Sequence, residues 1–176
     1  MLKVAYLQTH LVWENAAANR AHFQSLLAGL VPDTDLVILP EMFTTGFSMA
    51  SEKLAETMNG KTVGWMKQQA IKVDAVVAGS LIIEEGSNYY NRLVWAQPDG
   101  AIFTYDKRHL FRMADEGNHF TAGDNRIIIE WKGWKICPLI CYDLRFPVWS
   151  RNSQPEFDCL IYVANWPEAR KDPWMK

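Results

Sequence analysis

Three residues able to do acid–base and nucleophilic chemistry stand at corresponding places along the chain. Glu41 follows the apolar stretch Asp35 to Leu39 and Pro40, Lys107 follows Ala101 to Asp106, and Cys141 follows Trp134 to Ile140. In open α/β sheets, ligands bind beyond the carboxyl ends of the strands. A carboxylate, an ammonium and a thiol so placed converge on one pocket if their strands are neighbours. A thiol so placed would suit nucleophilic attack, with nearby backbone N–H groups as donors to a developing oxyanion. A helix expected near Arg145 and Pro147 would turn its positive end and backbone N–H groups toward Cys141, favouring the thiolate. Taken singly, each residue also has a structural reading. Free cysteines are among the most buried residues, a glutamate after a proline often caps a turn, and a loop lysine is usually solvated.

Other pairings compete for the same thiol. His109 and His119 offer the base of a Cys–His pair, with His119 in the polar loop Ala114 to Asp124 that also carries Glu116. Cys137 and Cys141 cannot form a disulfide if they share a strand: four steps separate them by roughly 13 Å, far beyond disulfide reach. A helix, which would bring them together, is opposed by Pro138, although Pro138 also sits awkwardly in a central strand. Cys137 and Cys159 therefore read as core thiols, and no close-spaced Cys/His pair suggests zinc.

The elements that must position these groups alternate between strand and helix. Lys3 to Gln8 reads as a strand, and Asn15 caps a helix with Phe23, Leu26, Leu27 and Leu30 on one face. Asp35 to Leu39 is a short buried strand, Thr62 to Lys72 a helix, and Ala75 to Ile83 another buried strand. Asn91 to Gln97 and Ala101 to Asp106 flank the turn Pro98-Asp99-Gly100, while Arg126 to Trp131 and Trp134 to Ile140 flank Lys132-Gly133. Asp158 to Ala164 is the last strand. Strand–helix alternation followed by hairpins implies an α/β sandwich on a mixed sheet.

Composition narrows the function classes. The 176 residues form one domain's worth of chain, 1–176, with 49% hydrophobic residues and a net charge of −2. That charge gives no field for nucleic acid or an anionic membrane. The longest mostly apolar run, Val73 to Ile83, is too short to span a bilayer, and the N-terminus lacks the pattern of a secretory signal. Three cysteines, an odd number, suit reduced thiols and a cytoplasmic location. Eight tryptophans read first as packing.

Three segments resemble the signature blocks of the nitrilase superfamily of carbon–nitrogen hydrolases. They are Leu39-Pro40-Glu41-Met42-Phe43, Tyr105-Asp106-Lys107-Arg108-His109-Leu110 and Ile140-Cys141-Tyr142-Asp143-Leu144-Arg145-Phe146-Pro147, in the family's order. The longer string from Pro40 to Phe47, with Asn165-Trp166-Pro167, is most similar to the omega-amidase branch. The resemblance implies a four-layer αββα sandwich and a Glu41–Lys107–Cys141 triad that displaces the Cys–His reading. It implies Glu116 as a second glutamate, although Ala122 stands where proline is usual in the turn that follows. Lys107 and the Tyr142 backbone N–H become oxyanion donors, with no metal or organic cofactor. For a substrate such as 2-oxoglutaramate or 2-oxosuccinamate, Arg145 is the candidate for its carboxylate, with Phe43, Phe111 and Trp166 as pocket wall. Family members continue for about another third of their length, which implies that the C-terminal part of the fold is missing from this chain and that the full-length form is a homodimer. A catalytically dead scaffold or binding module, another nitrilase-type amidase or carbamoylase, and a thiol redox or acyl-transfer protein stand as alternatives.

Overall fold

Short runs of β-branched residues, each ended by a turn former, build two sheets. The computed structural model describes residues 1–168, 171 and 172; the terminal Trp174-Met175-Lys176 lies outside them. The first sheet contains β1 (Val4–Tyr6), β2 (Leu36–Ile38), β3 (Val76–Glu85), β4 (Asn88–Ala96) and β5 (Ile102–Asp106), in that spatial order. β1, β2 and β3 run parallel, and β4 and β5 follow as antiparallel hairpins. The second sheet contains β6 (Ile129–Trp131), β7 (Trp134–Ile140) and β8 (Cys159–Val163), with β7 central, antiparallel to β6 and parallel to β8.

The period of two along each strand splits the apolar residues into two layers. Leu36, Ile38, Val76, Ala78, Leu93 and Trp95 face the second sheet and pack with Ile136, Leu139, Ile140 and Cys141. Val37, Val77, Val94 and Ala96 point the other way, onto helices α1 (Ala16–Leu27) and α3 (Lys61–Val73), where Phe23, Leu27, Val63 and Met66 meet them. Each such buried aliphatic side chain contributes about 1.5–3 kcal/mol. The described residues thus supply helix, sheet and sheet layers in order, a mixed α/β architecture as expected. The segment after β7 carries α4 (Pro147–Ser150), a single turn whose Trp149 packs on the layer between the sheets.

Local chemistry explains the boundaries. Asn15 caps α1 by accepting from Ala18 N at 3.0 Å, as its position anticipates. The Glu56 carboxylate accepts from Thr62 N at 2.8 Å at the start of α3. β3 and β4 prove longer than the sequence suggests and meet at a two-residue turn, Gly86-Ser87, with Gly86 at φ +63°. Their polar tips, including Glu84, Glu85 and Asn88, project past the core and so carry no apolar alternation. The four-residue helix α2 (Ser51–Leu54) was not anticipated, and β6 starts three residues later than expected. Pro138 is accommodated because β6 pairs only as far as Ile136, leaving β8 alone alongside it.

Candidate active site

The end of β2 delivers Glu41 by way of β3. Leu39 N donates to Ala78 O at 2.7 Å, Phe43 N to Ser80 O at 3.2 Å, and Met42 N to Ser80 Oγ at 2.9 Å. These bonds hold the segment against β3 while Met42 takes φ +45°, and the Glu41 side chain is fully buried. The end of β5 delivers Lys107, whose N–H donates to Asn91 O on β4 at 3.0 Å. Glu116 opens a 3-10 turn, Glu116–Asn118, and its carboxylate accepts from Phe111 N at 2.6 Å.

Cys141 stands where β7 ends, at φ +40°, a left-handed backbone that costs an L-residue and marks functional sites. The following segment is a 3-10 turn, Cys141–Arg145, and then the single turn of α4. No long helix dipole acts on the sulfur, contrary to expectation. Burial, reinforced by the Glu41 carboxylate, pushes the Cys141 thiol far above its usual range, with Lys107 opposing less strongly. Burial and Glu41 both favour the neutral thiol over the thiolate.

The structure brings the four groups together. Lys107 Nζ lies 2.8 Å from Glu41 Oε1, and 3.1 and 2.9 Å from Glu116 Oε1 and Oε2. Burial works against the ammonium, but the charges of Glu41 and Glu116 win and hold it well above the ordinary lysine range. Glu116 is raised by burial and by Glu41, against the pull of Lys107. Glu41 Oε2 accepts from Asn165 N at 3.1 Å. One acceptor nearby has no partner: Asn91 Oδ1 is buried while its amide nitrogen donates to both carboxylates. An orphaned acceptor of this kind costs about 1–3 kcal/mol.

Asp143, also fully buried, ties the nucleophile's turn to the lysine's loop. Its Oδ2 accepts from Tyr105 Oη at 2.8 Å and Ile140 N at 3.1 Å, and its Oδ1 from His109 N at 2.9 Å. His109 Nδ1 lies 2.8 Å from the same Oδ1, and the ring stacks on Phe146 at 3.7 Å. His109 therefore serves Asp143, and His119 is exposed in its loop, so the Cys–His alternative finds no geometry.

The expected substrate-binding residues separate. Phe43 packs edge-on against Phe23 at 5.4 Å in the layer under the helices, whereas Cys141 belongs to the layer between the sheets. Phe111 is half-buried, with its ring 5.0 Å from Tyr142 and 6.4 Å from Phe47. Phe47 in turn lies 5.1 Å from Lys107 Nζ, an aromatic neighbour of the site that the sequence reading did not single out. Trp166 packs against the layer between the sheets, and Arg145 is exposed at the end of the nucleophile's turn.

Gly123 fixes the Glu116 loop to the lysine's strand. Gly123 N donates to Lys107 O at 3.0 Å, and a Cβ at Gly123 would sit 2.3 Å from Asp106 O. Gly123→Ala should therefore push the loop away from Lys107, lowering stability by about 1–3 kcal/mol. Turnover should fall as well. Thermal melting and an activity assay check this; a variant with an unchanged melting point and rate would show that the close approach does not matter.

Among the described residues, no group of three or more His, Cys, Asp and Glu side chains could hold a metal ion. No helix among them is long and apolar enough to cross a membrane.

Comparison with known proteins agrees with this geometry. The sequence pattern of carbon-nitrogen hydrolases matches residues 3–175. The omega-amidase YafV of Yersinia enterocolitica is 49% identical over 175 residues, which are 98% of this chain and 66% of that protein. The 2-oxoglutaramate amidase of Bacillus subtilis (strain 168) is 36% identical over 144 residues, 80% of this chain and 56% of that protein. The chain thus spans just under two thirds of the omega-amidase it matches. A crystal structure of a CN-hydrolase superfamily protein from Xanthomonas campestris, with an arsenic adduct in its active site, superposes with a TM-score of 0.94. That match has 46% identity and covers 98% of this chain and 68% of the other. Sequence pattern, relatives and fold agree: the chain belongs to the carbon-nitrogen hydrolase family.

Proposed function

We propose that this protein is an amidohydrolase that cleaves the terminal amide of short 2-oxo dicarboxylic monoamides, such as 2-oxoglutaramate and 2-oxosuccinamate, through a cysteine thioester. The observation that carries the reading is the buried convergence of Cys141, Glu41 and Lys107, with Lys107 Nζ 2.8 Å from the Glu41 carboxylate whose charge also acts on the thiol. The names of the Yersinia and Bacillus relatives support the choice of substrate.

Because the resting thiol is protonated, its proton must leave as the S–C bond forms. Glu41 takes that proton while Cys141 Sγ attacks the amide carbon. In the resting site Lys107 Nζ donates to Glu41 Oε1 and to both oxygens of Glu116. As substrate binds, one of the two Glu116 contacts gives way and that N–H turns to the substrate oxygen beside the Tyr142 backbone N–H. Each such donor contributes about 3 kcal/mol to stabilising the oxyanion. Glu41 then protonates the amide nitrogen, the C–N bond breaks, and ammonia leaves. A water, oriented by Glu116 and deprotonated by Glu41, attacks the thioester; the S–C bond breaks and the proton returns to sulfur. Residues 1–176 are read as one hydrolase domain, acting in the cytoplasm, where free Cys137, Cys141 and Cys159 persist as thiols, and as a homodimer at full length.

The test is ammonia release from 2-oxoglutaramate by the intact protein, with propionamide as a neutral comparison. Failure to release ammonia from any 2-oxo amide would sink the reading. Arg145→Ala should lower kcat/KM for the carboxylate-bearing amide about 10- to 100-fold, the worth of a charge-assisted contact. Propionamide turnover should change little. Equal losses on both amides would remove Arg145 from substrate recognition.

A further inference from the structure

A buried amide in the apolar layer between the sheets calls for a reason. Asn91 lies on β4 in the same alternation as Leu93 and Trp95, so its side chain enters the layer that holds Cys141. It is fully buried. Its Nδ2 donates to Glu41 Oε1 at 2.8 Å and to Glu116 Oε1 at 3.2 Å. Those two oxygens are also contacted by Lys107 Nζ, at 2.8 and 3.1 Å, so two donors and two acceptors close a four-cornered ring. The amide's orientation follows from this ring, since the reverse would set Oδ1 against two carboxylate oxygens. The Asn91 backbone carbonyl, one residue beyond the last β4–β5 pair, Arg92 with Asp106, accepts from Lys107 N at 3.0 Å.

We propose that Asn91 is the positioning residue of the site: one residue of β4 fixes Lys107 through its backbone and both carboxylates through its side chain. The argument rests on the hydrolase reading above for what the positioned groups do. Two carboxylates near one ammonium repel each other, and the lysine alone cannot set where each one points. A neutral double donor adds hydrogen bonds to both without adding charge. With one Glu41 oxygen engaged by Asn91 and Lys107 and the other by Asn165 N, the carboxylate has little freedom to turn from the thiol. Glu116 is held in the same way, one oxygen by Asn91 and Lys107 and the other by Lys107 and Phe111 N.

Asn91→Leu keeps the volume and removes both donors; Asn91→Asp keeps the shape but replaces the donor with an acceptor. In the intact protein, either should lower kcat for ammonia release about 10²-fold, the low end of what positioned proton transfer contributes. KM should change less than about threefold, as expected when an interaction specific to the transition state is lost. The groups that face the amide are Glu41, Glu116 and Lys107. Because hydrogen bonds to a carboxylate favour its charged form, the acid limb of the kcat profile should move to higher pH in Asn91→Leu. Alkylation of Cys141 by iodoacetamide at neutral pH should slow about tenfold, since it uses the same thiol and base without any amide substrate. If no amide is hydrolysed but alkylation still slows, the function reading fails while the positioning role stands. A folded Asn91→Leu, or Asn91→Asp if the leucine variant does not fold, with parental alkylation rate and acid limb would overturn the proposal.

Discussion

Cys141→Ala should lower ammonia release from 2-oxoglutaramate about 10⁴-fold or more, as loss of the nucleophile does in other covalent hydrolases. The reason lies in the site's electrostatics. With the thiol held as S–H by burial and by Glu41, the protein has invested in a proton transfer that has no purpose without sulfur. The remaining donors can bind and polarise the amide but cannot form the thioester. Stability should report on the site separately, because Cys141 occupies a left-handed backbone at φ +40°. Cys141→Ala keeps that strain, and Cys141→Gly removes it. Relief of about 1–2 kcal/mol is set against the usual glycine penalty of about 0.5–1 kcal/mol. The glycine variant should therefore be at least as stable as the alanine variant, and both inactive. Urea denaturation and an ammonia assay on the three proteins check this. Release by Cys141→Ala within tenfold of the parent would remove Cys141 as nucleophile, and a glycine variant much less stable than alanine would deny the strain.

Why the sequence points to Glu41, Lys107, Cys141 and Glu116 and not to other buried polar residues follows from how each is encoded. Glu41, Lys107 and Cys141 end strands, where chemistry is expected, and sit in family-like blocks. The structure places them within reach of one another because β2, β3, β4 and β5 are neighbours and β7 packs across them. Asn91 carries no such sign: it lies at the edge of an apolar run, and its role arises from the β4–β5 register, which no single segment specifies. A buried amide is costly unless bonded, so the one polar residue aligned with Leu93 and Trp95 was the available signal. Asp143 was hidden differently. It sits two residues from Cys141, and its bonds to Tyr105, His109 and Ile140 N join segments far apart in the chain, which no local pattern announces. The layer that Phe43 enters was not legible, because periodicity gives a face only within a regular element. Between Pro40 and Gly46 the backbone turns, with Met42 at φ +45°, and Glu41 and Phe43 enter opposite layers despite being two residues apart. Helices α1 and α3 were legible because capping and i, i+3, i+4 spacing are local properties.

Lys107→Met tests the site as an electrostatic unit. The substitution keeps length and apolar stem and deletes one positive charge from between two fully buried carboxylates. Removing one partner of a buried ion pair costs about 3–5 kcal/mol, since the charge left behind has lost its compensation. Activity should fall with it, because in the proposed mechanism the ammonium also stabilises the oxyanion. The pH dependence has a definite sign. In the parent, Glu41 and Glu116 hold Lys107 above the ordinary lysine range, so its contribution is complete below the unfolded lysine value and constant through neutral pH. In the variant, Glu116 is already raised by burial and by Glu41, and it loses the cation that opposed both. A carboxyl raised in the folded state stabilises the fold below its unfolded pKa, and that contribution is lost as pH rises through the folded value. The deficit of Lys107→Met relative to the parent should therefore be smallest in mild acid and grow toward neutral and weakly alkaline pH. Paired denaturant titrations near pH 5 and pH 8 read it directly, because acid effects elsewhere in the fold cancel in the difference. A deficit equal at both pH values would mean that the carboxylates do not depend on Lys107 for their charge, and the four-group site would lose its electrostatic basis.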